Sequence, residues 1–137
     1  MTNPGPYELL AKIMIDIHGS LQEVKFLEKP KTFELVFSDG TLLKPSSEDD
    51  RKHWYLNHRQ SLLEYLNAGY GGDPLHVLTF GYSGTGSHNL VRFLKSCGFT
   101  STEFISAETH AAHQELPFVL KADGSRTPLS LEAGKHL

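Results

Sequence analysis

The stretch LHVLTFGYSGTGSHNLVRFLKSCGF, residues 75–99, decides how the chain is read. Residues 75–80 are apolar except for His76 and Thr79, a run of the length and type of a buried strand. Three glycines follow within six residues, Gly81, Gly84 and Gly86, before an amphipathic helix expected over 87–96. Gly98 suits the left-handed position that ends such a helix. A further strand at 103–106, reached by a short turn, would complete a βαβ unit with parallel strands.

Upstream, Leu9, Leu10, Ile13, Met14 and Ile17 recur at helical steps, and His18-Gly19 ends the run. Residues 21–28 partly alternate and read as a strand, broken by Lys29-Pro30-Lys31. Residues 32–37 alternate more clearly, and Ser38-Asp39-Gly40-Thr41 reads as a hairpin turn into Leu42 and Leu43. Pro45 stops that strand. Ser46 or Ser47 can cap a helix over 48–67, with Glu48, Asp49 and Asp50 favourable in its first turn and Tyr55, Leu62, Leu63 and Leu66 facing inward. Residues 68–74 are the most loop-like stretch, suited to a connection, a hinge or a lid. Residues 117–121 form a last strong strand, and Asp123-Gly124-Ser125 turns the chain toward an edge pairing at 129–131. The expected fold is a mixed α/β (α+β) single domain: an antiparallel meander, then a βαβ-like unit, with three main helices.

Composition narrows the function classes. The 137 residues suit one domain with a real core, and 39% hydrophobic with 21% charged residues is ordinary for a globular chain. A net charge of −3 argues against a nucleic-acid surface, which needs a basic face. The single cysteine, Cys97, allows neither an internal disulfide nor a thiolate cluster, and at an inward helical position it reads as an inert core thiol. The start of the chain does not read as a signal peptide, and no apolar run approaches the ~20 residues of a membrane helix. A cytoplasmic protein that touches neither nucleic acid nor membrane is the expectation, with no catalytic residue, metal or cofactor assigned.

Chemistry points first to the loop Gly81, Tyr82, Ser83, Gly84, Thr85, Gly86, Ser87 and His88. Glycines let a ligand approach the backbone, and a helix N-terminus presents free N–H groups and a positive dipole end to a phosphate, nucleotide or carboxylate. Ser83, Thr85 and Ser87 add hydroxyls, Tyr82 a stacking ring, and His88 a proton-exchanging group. Known patterns are each incomplete: Ser87-His88 stands where the Walker loop needs lysine, the glycine spacing differs from the dinucleotide fingerprint, and Thr85 occupies a glycine position of the nucleophile elbow. The glycines also serve a plain tight turn. A serine hydrolase would need partners such as Asp73 and His88 for Ser83.

His110 and His113, flanked by Glu108 and Glu115, would share a helical face, yet they lack the order of a zinc peptidase. His53 and His58 are five residues apart and do not share one. Trp54, His58, Leu62 and Tyr65 form a stripe on the second helix that is either core or a partner-binding face anchored by Trp54 and Tyr65 with an acidic rim. Each catalytic pattern lacks a member, whereas binding needs only a shaped surface. The favoured function is a small interaction protein, such as a bacterial immunity protein or an inhibitor that caps a toxin. The alternative is a ligand-binding or enzymatic domain that holds a small anion at residues 81–88.

Overall fold

The first helix, α1 (Pro6–His18), starts on a proline, where a missing N–H costs nothing, and buries Leu9, Leu10, Ile13 and Met14 along one face. His18 continues that face four residues after Met14. The helix stops at Gly19, whose φ of +83° few other residues tolerate and whose N–H caps the carbonyl of Ile15. In this computed structural model, residues 5–28, 32–71, 73–80, 85–102 and 117–128 are described.

A meander follows: β1 (Leu21–Glu28), β2 (Thr32–Phe37) and β3 (Leu42–Leu43). The chain returns to the sheet at β4 (Phe118–Lys121) and β5 (Arg126–Pro128), giving the order β3-β2-β1-β4-β5 with every pairing antiparallel. Strand β2 shows strict alternation, with Phe33, Leu35 and Phe37 buried. Cross-strand register places Phe26 opposite Phe33 on one side and Phe118 on the other, and these rings stack at 5.9 and 5.0 Å. The outer edges are safe: β3 has two residues, and β5 carries Pro128, which offers no N–H to a further strand.

The β2–β3 and β4–β5 hairpins use the same turn. In Phe37-Ser38-Asp39-Gly40-Thr41, the N–H of Gly40 bonds back to Phe37, that of Phe37 to Thr41, and the Asp39 carboxylate accepts from the N–H of Thr41. Lys121-Ala122-Asp123-Gly124-Ser125 repeats all three bonds, and both glycines take φ of +91°.

Between the meander and β4 lie α2 (Glu48–Asn57), α3 (Arg59–Asn67), a 3-10 turn (Pro74–Val77) and α4 (Thr85–Ser96). Ser47 is the cap of α2, its hydroxyl accepting from the N–H of Asp50. Helix α4 buries Leu90, Val91, Phe93 and Leu94, and ends as read: Gly98 at φ +92° donates to Lys95 while Phe99 donates to Leu94. Arg92 of α4 clasps Glu8 of α1 through two bonds of 3.1 and 2.9 Å. Helices and the buried sheet face share one hydrophobic cluster, with Phe26 near its centre. The fold is thus mixed α/β, as expected, but its five-stranded sheet is antiparallel throughout and the described residues carry four α-helices.

Three local readings need correction. Residues 75–80 are not a strand: Pro74 starts a 3-10 turn, the N–H of Leu75 goes to the Tyr55 hydroxyl, and Leu75, Leu78 and Phe80 are buried as a docked segment. An apolar run of six cannot by itself distinguish a ladder from a buried turn. No parallel pairing can therefore start there, and the expected strand at 103–106 lies outside the described residues. The helix expected over 48–67 is two helices, because His58 leaves helical geometry at φ −126°, ψ 30°. Across the break Trp54, Leu62 and Tyr65 keep one inward stripe, while Leu63 and Leu66, read as inward, are exposed. The turn at 123–125 leads directly into β5, and residues 129–131 lie outside the described residues.

Candidate functional site

Two surfaces of the α2–α3 unit gather the unusual chemistry. The first is an open cleft of about 390 Å3 between the end of α1, the β2–β3 turn and α2. His18 forms its floor and is buried. Its Nδ1 lies 2.9 Å from Asp39 Oδ2 and 3.1 Å from the Thr41 hydroxyl, and its Nε2 lies 2.8 Å from Nε1 of Trp54. An indole N–H can only donate, so His18 Nε2 is the acceptor, and Nδ1 carries the hydrogen toward Asp39. The hydrogen bonds therefore select the neutral Nδ1–H tautomer.

The His58 ring stands edge-on to His18 at 5.1 Å and lies 5.0 Å from the Trp54 ring. Burial first, and the neighbouring His18 second, push the His58 pKa down, with Asp39 opposing. The Thr41 hydroxyl, the Thr41 N–H and then His18 hold the Asp39 carboxyl down at about 2. Asp50, His53 and Asn57 complete the cleft wall.

The second surface is an apolar groove of about 240 Å3 whose lining includes Tyr55, Arg59, Leu63, Leu66 and Pro74. Leu63 is 44% exposed and Leu66 48%, in contrast to the core leucines. One end is held by a polar knot: Asp73 accepts from the Tyr55 hydroxyl and pairs with the buried Arg51 at 3.2 Å, while Arg51 also donates to the Pro45 carbonyl. Burial and Asp73 push the Tyr55 hydroxyl's pKa up, which keeps it a donor. Residues 68–73, read as loop, hinge or lid, are tied to α2 at Asp73. Arg59 makes no ion pair among the described residues, whereas Glu64 pairs with Lys12 and Asp73 with Arg51.

Of the glycine loop, Gly81, Tyr82, Ser83 and Gly84 lie outside the described residues. Thr85, Gly86, Ser87 and His88 open α4 directly, two residues earlier than read. Thr85 and His88 are exposed, and the fully buried Ser87 hydroxyl has no partner among the described residues. Trp54 and Tyr65 are buried members of the core, and His58 is half-buried at the cleft. The segment with His110 and His113 lies outside the described residues. Among the described residues no group of three histidine, cysteine or acidic side chains is placed to hold a metal ion.

Three candidate bases or nucleophiles among the described residues are committed or suppressed. The nitrogen that His18 would use as a base already holds Trp54, burial pushes the Cys97 thiol up to about 12, and Asp73 is committed to Arg51 and Tyr55. Sequence reading missed His18, Asp39 and Arg59. The available signal for His18 was its place on the inward stripe after Leu10 and Met14, and for Asp39 its Asp-Gly turn. Nothing local marked Arg59. No protein family, curated protein or solved structure matches the chain. Among the described residues no helix is long and apolar enough to cross a membrane.

Proposed function

We propose that this chain is a non-enzymatic interaction protein of the immunity-protein or inhibitor kind, acting in the cytoplasm, and that α3 carries its docking groove. The observation behind this reading is the pair of exposed leucines, Leu63 and Leu66, beside an apolar groove whose one cation, Arg59, lacks an ion-pair partner among the described residues. Such a surface suits a partner segment that buries an apolar side chain and sets a carboxylate against the guanidinium. Buried Leu62 and Tyr65, which line the groove, hold its wall in place and lower the entropic cost of binding.

A photo-crosslinking residue at position 66, compared with one at the exposed Gln22 on β1, tests the reading. A dominant protein adduct from position 66 alone, whose purified partner binds at least about tenfold more weakly to Leu66→Asp and to Arg59→Glu, supports it. Equal adducts at both positions, or a partner indifferent to both substitutions, rejects it.

A second reading, a small anion held at the start of α4, draws on the buried Ser87 hydroxyl, which has no partner among the described residues. Thermal shift with inorganic phosphate and nucleotides tests it, because a ligand of the native state raises its apparent stability. A rise abolished by Gly86→Val in a still-folded protein favours it, and a flat screen rejects it.

A further inference from the structure

We propose that the His18–Trp54 hydrogen bond is a proton-operated latch joining the end of α1 to the α2–α3 unit. The chemistry lies in one atom. His18 Nε2 is 2.8 Å from Trp54 Nε1 and can hold that N–H only while it keeps its lone pair. A proton added at Nε2 sets two N–H donors against each other, and the bond is lost. The proton is nevertheless drawn to this ring, because the Asp39 carboxylate already sits 2.9 Å from Nδ1 and gains a full charge partner when the imidazole becomes cationic. His18 thus chooses between two arrangements: neutral and bonded to Trp54, or cationic, paired with Asp39 and detached from Trp54.

The groups facing His18 are few. Asp39 and the Thr41 hydroxyl face it from the β2–β3 turn, and His58 from the break between α2 and α3. Asp50 and His53 lie further along the same cleft, and the neighbouring Phe37 ring, at 5.2 Å, carries no charge. His58 has no carboxylate at hydrogen-bond distance among the described residues, and burial and His18 both oppose its charging. Of the two rings, His18 is the one with a carboxylate at hydrogen-bond distance. The open cleft gives water a route to a ring that is itself only 6% exposed.

The latch holds the helix pair that carries the α3 groove, so acidification would loosen the docking face. That consequence rests on the proposed function; the latch itself does not. Trp54 is the only tryptophan in the chain, so its fluorescence reports this contact without a label. In the full chain, lowering the pH from about 8 to 5, the interval histidine titrates, should change Trp54 emission with single-proton steepness at constant far-ultraviolet circular dichroism. His58→Gln should keep the transition, and His18→Gln should abolish it. Imidazole nitrogen shifts of the wild-type chain give a second measurement if His18→Gln does not fold: at pH 8 they should show His18 Nε2 unprotonated, and through the transition they should show it gain the proton. A flat emission profile overturns the latch. So does a transition lost in His58→Gln, one that coincides with unfolding, or His18 nitrogens that do not titrate with it.

Discussion

Gly19 shows how one residue can serve two constraints. Its φ of +83° disfavours any side chain, and a Cβ there would lie 2.1 Å from the Ser38 hydroxyl, which donates to the His18 carbonyl. Gly40 has a similar φ of +91° but open space around it. Gly40→Ala should cost about 1 kcal/mol, the left-handed penalty alone. Gly19→Ala should cost distinctly more, because φ +83° with ψ −167° is a region essentially only glycine occupies and a Cβ would also meet Ser38; equal urea midpoints would show that the turn yields freely. His58 gives the pH dependence. Its pKa is depressed in the folded state, so the unfolded chain takes up a proton first as pH falls below about 6.5, and stability drops until the folded form is protonated too. Urea midpoints at pH 7.5 and 5.5 should fall with acid, and less so in His58→Gln. The Asp39 contribution lies lower, complete above about 4 and lost as pH falls toward about 2.

Elements that depend on their own residues were legible before the structure. The two Asp-Gly turns, the alternation of β2, a serine cap at Ser46 or Ser47 (it is Ser47) and the Gly98 terminus all arise from contacts within five residues and were legible. Elements decided at long range were not. The break at His58 accompanies packing of its ring against His18, forty positions away, and nothing between 48 and 67 signals it. Residues 75–80 lose their strand because Pro74 and the Tyr55 hydroxyl settle their backbone bonds and the Phe26 cluster takes Phe80, whose ring lies 4.7 Å from Phe26. The groove was hidden too, since Leu63 and Leu66, read as inward, lie on the exposed side of α3. The knot at Asp73 belongs to this scale. Asp73→Ala leaves the buried Arg51 without its counter-charge, and as Asp73 is half exposed the cost should be about 1–2 kcal/mol. Hydrogen exchange should quicken at Leu75 and across 68–73; unchanged exchange there would mean that Pro74 alone holds the connection.

At the scale of the molecule, the sheet and α1 supply stability while α2 and α3 supply surface. Phe26 touches Phe33, Phe80 and Phe118, so Phe26→Ala should remove about 3–5 kcal/mol and lower the melting temperature steeply. Leu66, by contrast, is exposed on the groove, and Leu66→Asp should leave the melting temperature within about 2 °C of wild type, as a surface change of at most ~0.5 kcal/mol does. That separation of stability from binding is the core of the account. Calorimetric titration of the partner captured at position 66 against wild type and Leu66→Asp, each verified as folded, tests it most directly. The account predicts at least about a tenfold weaker affinity for the variant, some 1.4 kcal/mol, at an unchanged melting temperature. Equal affinities would contradict it and place the binding surface elsewhere on the molecule.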